Sequence, residues 1–228
     1  MQLVGMLDSP YVRRVAVALI AANVAFTHRS ISLFRHIDEF SKLNALLKAP
    51  TLVIDEGTVL MDSNVVLEHL AGAHPRVAAL TPTEPSQRLR ALRSTGIALT
   101  VMEKAVQRHY ERSLRPADIA APTLDRPDYG PAGGGLAALD AELRPAGWIG
   151  GEFGLGDISV ACAYGFVRSV LSDLFEPNHY PNLAAFCDRA EALPAFRAAP
   201  AKDGVTAPII PQTREASRFA DQTGDVRS

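Results

Sequence analysis

One stretch of the chain, residues 49–70, combines strand, turn and helix-start signals closely enough to constrain the local fold. Residues 51–54 are β-branched or apolar and predict a strand, and residues 58–61 predict a second one. The Asp-Glu-Gly sequence between them is typical of a tight turn, so the two strands form a hairpin. Three good N-cap residues begin at Asp62 and lead into a helix with a broad apolar face.

The start of this helix is also a candidate binding site for an anion. A helix N-terminus exposes unpaired N–H groups and a partial positive charge, and both can hold a carboxylate. Ser63 adds a hydroxyl donor there, and Asp62 adds a negative charge that could meet an amine. The pair would suit the free end of an amino acid, where ammonium and carboxylate stand side by side. The simpler alternative is that both residues only cap the helix, since caps are common.

The chain before this stretch predicts a βαβ unit. A short apolar strand at residues 2–5 is followed by Ser9 and Pro10, a capping hydroxyl and a proline at the first helical position. Residues 26–33 supply the second strand, and a crossover of this kind is right-handed with parallel strands. A weakly patterned helix then leads into the hairpin, which gives the order βαβαββα for residues 1–75.

The hairpin and helix start resemble the glutathione-binding half of the N-terminal domain of the glutathione S-transferase (GST) family, which has the thioredoxin-like order of elements. The resemblance implies that the bond between Ala49 and Pro50 is cis, and that the backbone of Ala49 holds the cysteinyl unit of glutathione. It also implies that Asp62 and Ser63 hold the γ-glutamyl end. The matching segments are residues 50–53, 55–57 and 62–64.

The turn at Ser9 stands where thioredoxin-like proteins carry a Cys-x-x-Cys pair, but here it contains no cysteine. Thiol–disulfide exchange by a protein thiol is therefore not available at this turn. The turn is similar to the GST form in which a Ser or Tyr hydroxyl points at the glutathione sulfur. That makes Ser9 the first catalytic candidate and Tyr11 the second, and the alternative for Ser9 is that it only caps its helix.

The energy that this role requires of Ser9 is modest. Lowering the pKa of a thiol by about 2 units takes roughly 2.7 kcal/mol of selective thiolate stabilisation. A helix N-terminus supplies about 0.3–1 kcal/mol. A hydroxyl hydrogen bond to an ionised partner supplies roughly 1.5–3 kcal/mol, so the two together are about enough.

The glycyl end of glutathione has weaker candidates. The resemblance places Arg35 and His36 near its carboxylate, and Lys48 is a further candidate. The family often reads Asn-Pro-x-Gly-x-Val-Pro before the hairpin, whereas residues 44–50 lack the first proline and the glycine. We therefore expect this loop to be more helical or differently placed.

The rest of the chain predicts a linker at residues 76–85 and an all-helical domain at residues 86–200. Apolar residues recur at helical spacing over about residues 85–112, and in the family this helix helps line the electrophile pocket. Core packing or a solvated face is the alternative for each candidate on it. The electrophile-pocket candidates are Met102, Val106, His109 and Tyr110.

Two further segments of the second half lack a sustained helical pattern. Residues 115–135 carry several prolines and three consecutive glycines, so they predict a loop that precedes a helix over about residues 136–144. Residues 201–228 are polar with scattered Pro and Gly, which predicts a tail that is flexible or laid over the surface.

A segment near residue 157 resembles the family's buried helix, which starts with a capping box and a hydrophobic staple. Asp157 would reach back to the cap position, and Phe153 would pack on Ile158. Gly154 stands where the family usually has Ser or Thr, so half of the box is expected to be lost. We expect this element to serve folding rather than chemistry.

Composition excludes several classes of function. A formal net charge of -2 gives no electrostatic reason to expect nucleic acid or an anionic membrane as a partner. No apolar run is long enough to cross a bilayer, and the N-terminus does not resemble a signal peptide. The only cysteines, Cys162 and Cys187, lie in helical patterns, which predicts core residues of a protein in a reducing cytoplasm rather than a disulfide or a metal site.

The resemblance, which covers both domains, implies a cytoplasmic, homodimeric glutathione transferase that acts in detoxification. It would use glutathione as co-substrate, without a metal, and direct its thiolate at a small hydrophobic electrophile. One alternative is a GST-fold binding or regulatory protein without catalysis. The other is a different glutathione-dependent enzyme, such as an isomerase, dehalogenase or peroxidase. A reductase would typically need a cysteine at position 9, and the maleylacetoacetate type of isomerase usually has a Ser-Ser-Cys turn.

Overall fold

The computed structural model describes residues 1–55, 57–114, 131–144, 146–172, 177–202, 204 and 206. Its N-terminal part has the predicted order of elements, βαβαββα, and the thioredoxin-like fold class is confirmed. Glu56, in the predicted hairpin turn, lies outside the described residues. The strands are β1 (Gln2–Val4), β2 (Thr27–Arg29), β3 (Thr51–Val53) and β4 (Val59–Met61), and the helices are α1 (Pro10–Ala21), α2 (Ile37–Leu43) and α3 (Ser63–Ala73).

The four strands form one mixed sheet in the order β2-β1-β3-β4. β1 and β2 are parallel, with Leu3 opposite His28, which confirms the predicted βαβ unit. β3 pairs antiparallel with both β1 and β4, so the predicted hairpin is confirmed as well. Leu3 and Leu52 face each other across β1 and β3 and are fully buried. The central strand pair therefore anchors the core of this domain.

The second part of the chain is helical, as predicted. Helix α7 (Leu155–Val170) is buried along most of its length, and it packs against α1, α5 (Pro85–Leu114) and α8 (Pro181–Glu191). The predicted linker begins with one short helix rather than an irregular segment. The helices are α4 (Pro75–Ala78), α5 (Pro85–Leu114), α6 (Pro131–Glu142), α7 (Leu155–Val170), α8 (Pro181–Glu191) and α9 (Pro194–Ala198), and a 3₁₀ turn spans Pro177–His179.

The three consecutive glycines are helical, so the predicted loop was wrong at residues 131–135. A Cβ atom on Gly135 would lie 2.6 Å from a methyl carbon of Val101, so glycine lets α6 lie close against α5. The packing gained there outweighs the poor helix propensity of glycine. The other residues of that prediction, 115–130, lie outside the described residues.

Gly154 allows a close backbone contact that the sequence did not indicate. A Cβ atom there would lie 2.2 Å from the carbonyl oxygen of Leu80, and the next N–H, of Leu155, donates to that oxygen at 2.8 Å. Glycine thus allows the start of α7 to bond to the segment between α4 and α5. Asp157 keeps its half of the capping box, because its Oδ2 accepts from Gly154 N at 2.9 Å.

A pair of buried arginines on α1 joins the two parts of the protein. Arg13 donates from both terminal nitrogens to Glu191 of α8, at 2.5 and 2.7 Å, and from Nε to the carbonyl oxygen of Ala199 at 2.8 Å. Arg14 bonds on the other side to α3 and α7. Because α1 is buried against α7 and α9, Arg13 has its partners in the helical part, while Arg14 has partners in both parts.

The remaining predictions concern the surface and the end of the chain. Cys162 and Cys187 are both buried, as expected of core residues. Within the described residues no helix is long and apolar enough to span a membrane. Of the predicted tail, Thr206 donates its N–H to His28 Nδ1 at 3.1 Å, and residues 207–228 lie outside the described part.

We predict that Asp157→Asn destabilises the protein by about 1–3 kcal/mol in urea-induced unfolding. Its carboxylate accepts from Ile149 N through Oδ1 and from Gly154 N through Oδ2, both at 2.9 Å, and an amide has only one acceptor oxygen. Burial raises the pKa of Asp157 to about 6, although the hydrogen bonds from Ile149 and Gly154 act to lower it. The carboxyl group is therefore still mostly ionised at neutral pH.

The control for this prediction is Asp188→Asn. Asp188 pairs with Arg168 at 2.9 Å, but its side chain is 67% exposed, so the change should cost under about 1 kcal/mol. Equal effects of the two substitutions would contradict the capping role of Asp157.

Candidate functional site

A cavity of about 830 Å³ lies between the sheet domain and the helices α5 and α7. Its lining comes from the turn before α1, the segment between β2 and α2, the end of the loop before β3, and the facing sides of α5 and α7. The cavity thus brings together residues that are far apart in the sequence. The predicted site residues among its lining are Ser9, Tyr11, Arg35, Lys48, Ala49, Val106, His109 and Tyr110.

Ser9 lies at the N-terminus of α1 and on the cavity wall. Its Oγ is 3.5 Å from Val12 N, at the long limit for a capping hydrogen bond, so it caps the helix only weakly. Pro10, the first helical residue, has no N–H to satisfy. The hydroxyl is therefore available to a group in the cavity.

Tyr11, the second candidate, also lines the cavity, and its phenol is strongly perturbed. Burial, helped by the negative charges of Glu103 and Asp62, raises its pKa to about 12. At neutral pH the phenol is protonated and can only take part as a neutral hydrogen-bonding group. Tyr11 cannot serve as a base in this range of pH.

The Ala49–Pro50 peptide bond is cis, as the resemblance implies. Two residues that sequence reasoning missed hold the loop before it. The Nδ2 group of Asn44 donates to Thr51 Oγ1 at 2.9 Å, and that hydroxyl donates to the carbonyl oxygen of Lys48 at 2.7 Å. Ala49 is thereby fixed at the cavity wall.

The loop at residues 44–50 is not helical, because α2 ends at Leu43, so of the two expected departures, more helical or differently placed, the helical one is wrong. Leu47 stands where the family pattern has glycine, and it adopts a φ of 49°, a backbone conformation that favours glycine. The left-handed backbone at this position is therefore present without the glycine. This explains how the loop can depart in sequence and still present Ala49.

Gly5 is another residue that sequence reasoning missed. It has a φ of 131°, and a Cβ atom there would lie 2.7 Å from a methyl carbon of Val12 and 3.1 Å from the Cβ atom of Ala49. Only glycine lets the end of β1 approach both. The close approach sets the spacing between the Ser9 turn and the Ala49 loop across the cavity.

Asp62 caps α3 and also faces Lys48. Its Oδ1 accepts from Asn64 N at 2.9 Å, and its Oδ2 lies 3.3 Å from Lys48 Nζ. Partial burial acts to raise the pKa of Asp62, but the hydrogen bonds from Asn64 and Lys48 outweigh it and hold the pKa below its usual value. The side chain is 41% exposed, so the capping carboxylate can still meet an amine.

Five of the predicted site residues do not line the cavity: Asp62, Ser63, Pro50, His36 and Met102. Ser63 is 2% exposed, and its Oγ accepts from Arg14 Nη1 at 2.9 Å, so its side chain faces the domain interface. Pro50 follows Ala49 without joining the lining, and His36 precedes α2 on the surface. Met102 is a core residue instead of a pocket residue, because it belongs to the buried stripe of α5.

Aromatic rings form the wall opposite Ser9, and two of them were missed in the sequence. Phe34 contacts Tyr110 edge to face with ring centres 5.4 Å apart, and His109 contacts Phe166 in the same way at 6.1 Å. Phe34 comes from the sheet domain, and the other three rings come from the helical part. This side of the cavity suits an apolar or planar ligand.

Two family models match the chain. The Glutathione S-transferase, N-terminal domain, covers residues 3–85, and the Glutathione S-transferase, C-terminal domain, covers residues 131–189. The chain belongs to the glutathione S-transferase family. It is 25% identical over 168 residues to the uncharacterized GST-like protein YibF of Escherichia coli, which is 74% of this chain and 82% of YibF.

Solved GST structures resemble the whole molecule. A glutathione S-transferase from Methylobacterium radiotolerans, in complex with glutathione sulfonate, matches with a TM-score of 0.80 at 26% identity, over 92% of this chain and 99% of that chain. A glutathione transferase family member from Pseudomonas fluorescens, with bound glutathione, matches with a TM-score of 0.72 at 30% identity, over 87% and 97%.

No three His, Cys, Asp or Glu side chains of the described residues are grouped so that they could hold a metal ion. The polar groups that line the cavity are hydroxyls, an imidazole, a carboxylate and the cations of Arg35 and Lys48. Such a set can bind and orient an anionic peptide by hydrogen bonds and charge.

We predict that a spectrophotometric titration of tyrosine gives the same ionisation curve for wild type and Tyr11→Phe up to about pH 10. The reason is that burial raises the pKa of Tyr11 to about 12, so only about 1% of the phenol removed by the substitution is ionised at that pH. A wild-type curve that shows one additional tyrosine ionising near the ordinary value of about 10 would contradict the buried position of Tyr11.

Proposed function

We propose that this protein is a glutathione transferase that binds glutathione in the cavity and directs its thiolate at a small hydrophobic electrophile. One observation carries the proposal: Ser9 at the start of α1, Ala49 before its cis proline, and the aromatic wall all border one cavity. The glutathione sulfonate and glutathione in the two bacterial relatives support it.

In this proposal glutathione lies along the sheet side of the cavity. The backbone of Ala49 holds the cysteinyl unit, while Asp62 and the N-terminus of α3, with Ser63, hold the γ-glutamyl end. Arg35 and Lys48 are the cations within reach of the glycyl carboxylate, because both line the cavity. His36 and Pro50 lie outside the lining and serve the loop geometry.

Ser9 stabilises the thiolate by donating a hydrogen bond to the sulfur, with the N-terminus of α1 adding positive potential. The thiol proton passes to solvent, because Tyr11 stays protonated at neutral pH. The sulfur then forms a bond to the electrophilic carbon, and the leaving group departs with the electron pair of the bond that breaks. Val106, His109 and Tyr110 contact the electrophile on the opposite wall.

The proposal includes a homodimer in the cytoplasm. Exposed apolar side chains of α3 and α5 include Val65 at 49%, Leu89 at 69% and Leu92 at 52%. A second copy that covers these helices would remove this surface from water. A monomeric mass for the purified protein in sedimentation velocity experiments at micromolar concentration would contradict this part of the proposal.

The direct test is titration calorimetry with reduced glutathione and with S-hexylglutathione. We expect both to bind, and the hexyl form more tightly, because its chain would bury apolar surface at about 0.8 kcal/mol per CH₂ group. Binding without turnover of any electrophile would indicate a binding or regulatory protein. No binding of either ligand at millimolar concentration would contradict the proposed function.

We further predict that Ser9→Ala lowers kcat by about 10- to 100-fold, which corresponds to the loss of roughly 1.5–3 kcal/mol of thiolate stabilisation. The affinity for glutathione should change little, since Ser9 acts on the ionised sulfur. Stopped-flow or steady-state assays with a chromogenic electrophile measure this effect.

Ser169→Ala is the matched control for Ser9→Ala. Ser169 also lines the cavity, but its hydroxyl donates to the carbonyl oxygen of Phe166 at 3.2 Å on the helical side. Its substitution should leave kcat within a factor of about two. If Ser9→Ala lowered kcat no more than this control, stabilisation of the thiolate would be assigned to backbone amides or to Tyr11.

A further inference from the structure

Arg14 is a buried cation whose hydrogen-bond partners are neutral. It is 3% exposed, and its Nε donates to Ser159 Oγ at 2.8 Å. Its Nη1 donates to Ser63 Oγ at 2.9 Å and to Asn64 Oδ1 at 2.7 Å. No ion pair between described residues includes Arg14, in contrast to Arg13, which pairs with Glu191.

A buried guanidinium with no carboxylate hydrogen-bonded to it is costly. Burial lowers the pKa of Arg14 to about 10, and the nearby negative charge of Asp62 does not offset that burial. Arg14 bonds directly to the first two residues of α3, where the helix already provides positive potential. The carboxylate of Asp62, the N-cap residue, offsets part of this positive potential, but it already accepts from Asn64 N and pairs with Lys48. A carboxylate of a ligand at the start of α3 would add a second negative charge close to Arg14 and the helix N-terminus.

The hydrogen bonds also determine the direction in which Ser63 can donate. Its Oγ accepts from Arg14, and none of the described residues accepts from it. The hydroxyl proton of Ser63 is therefore not used by the described residues, and a carboxylate at the start of α3 can accept it only by reaching this side chain, which is 2% exposed. Ser159 holds Arg14 from the other side, because its own proton goes to the carbonyl oxygen of Leu155 at 2.6 Å and its oxygen accepts from the guanidinium.

We infer that Arg14 is a positioning residue for the α-carboxylate of the γ-glutamyl unit, a role that rests on the proposed binding of glutathione. By donating to Ser63 Oγ, Arg14 orients the hydroxyl of Ser63 as a donor toward that carboxylate. The guanidinium also places a buried positive charge next to Ser63. Ser159 of α7 anchors the guanidinium, so the helical part of the protein contributes to recognition of a group bound at the sheet domain.

The test compares two ligands that differ only in this carboxylate. Glutathione is measured against 4-aminobutyryl-cysteinyl-glycine, which lacks the α-carboxylate of the γ-glutamyl unit. Calorimetry on the full chain gives the ratio of the two dissociation constants. In Arg14→Met the preference for glutathione should fall by about 10- to 100-fold, as expected for loss of an interaction with an ionised partner.

Arg13→Met is the matched control. Arg13 is equally buried, at 3% exposure, and also joins α1 to the helical part, but its charge is compensated by Glu191. Its substitution should lower stability without changing the ratio of the two dissociation constants. A purely structural role of Arg14 would weaken both ligands equally and leave the ratio unchanged, which would overturn the inference.

Two milder variants apply if Arg14→Met does not fold. Arg14→Lys keeps the charge but not the planar fork, so it should retain part of the preference for glutathione. Ser159→Ala removes the anchor from α7 and should reduce the preference by a few-fold, and no change of the ratio in either variant would also overturn the inference. Failure of the wild type to bind glutathione at all would instead contradict the proposed function.

Discussion

Helix α1 is buried on two sides, because it packs against α3 in the sheet domain and against α7 and α9 of the helical part. This position fixes the start of the helix, and with it Ser9, at the edge of the cavity between the two parts. It also forces two arginines into the interface. Arg13 is neutralised by Glu191, whereas Arg14 is held by the uncharged Ser63, Asn64 and Ser159.

The two sides of the cavity differ in how they are built. The sheet side consists of turns whose backbone is fixed by close contacts, such as Gly5 against Val12 and Asn44 against Thr51. The opposite side consists of side chains on α5 and α7, whose backbone is fixed by packing elsewhere, together with Phe34 of the sheet domain. Side chains on the second side can therefore change without disturbing the first, and in the proposed function the first side binds the peptide while the apolar rings contact the electrophile.

Local signals in the sequence predicted most of the sheet domain, because turn residues and N-caps act within a few positions. The hairpin, the Ser9-Pro10 helix start and the capping carboxylate of Asp62 are of this kind. Errors arose where a distant atom decides. Gly135 is helical because of Val101, and Gly154 is required by the carbonyl of Leu80. The hydrogen bond between Ser63 and Arg14 also joins residues too far apart in the chain for local signals to predict. Periodicity also could not distinguish Met102, in the buried stripe of α5, from the neighbouring residues that reach the cavity.

The central claim is that the protein holds glutathione as a thiolate beside Ser9. The most direct measurement is the ultraviolet absorbance of the thiolate in the complex of wild-type protein and glutathione, followed as a function of pH. The account predicts a thiol pKa about 2 units below the usual value of about 8.5. A bound thiol that ionises at its usual pKa would contradict it, because the start of α1 would then contribute nothing to the reactivity of the sulfur.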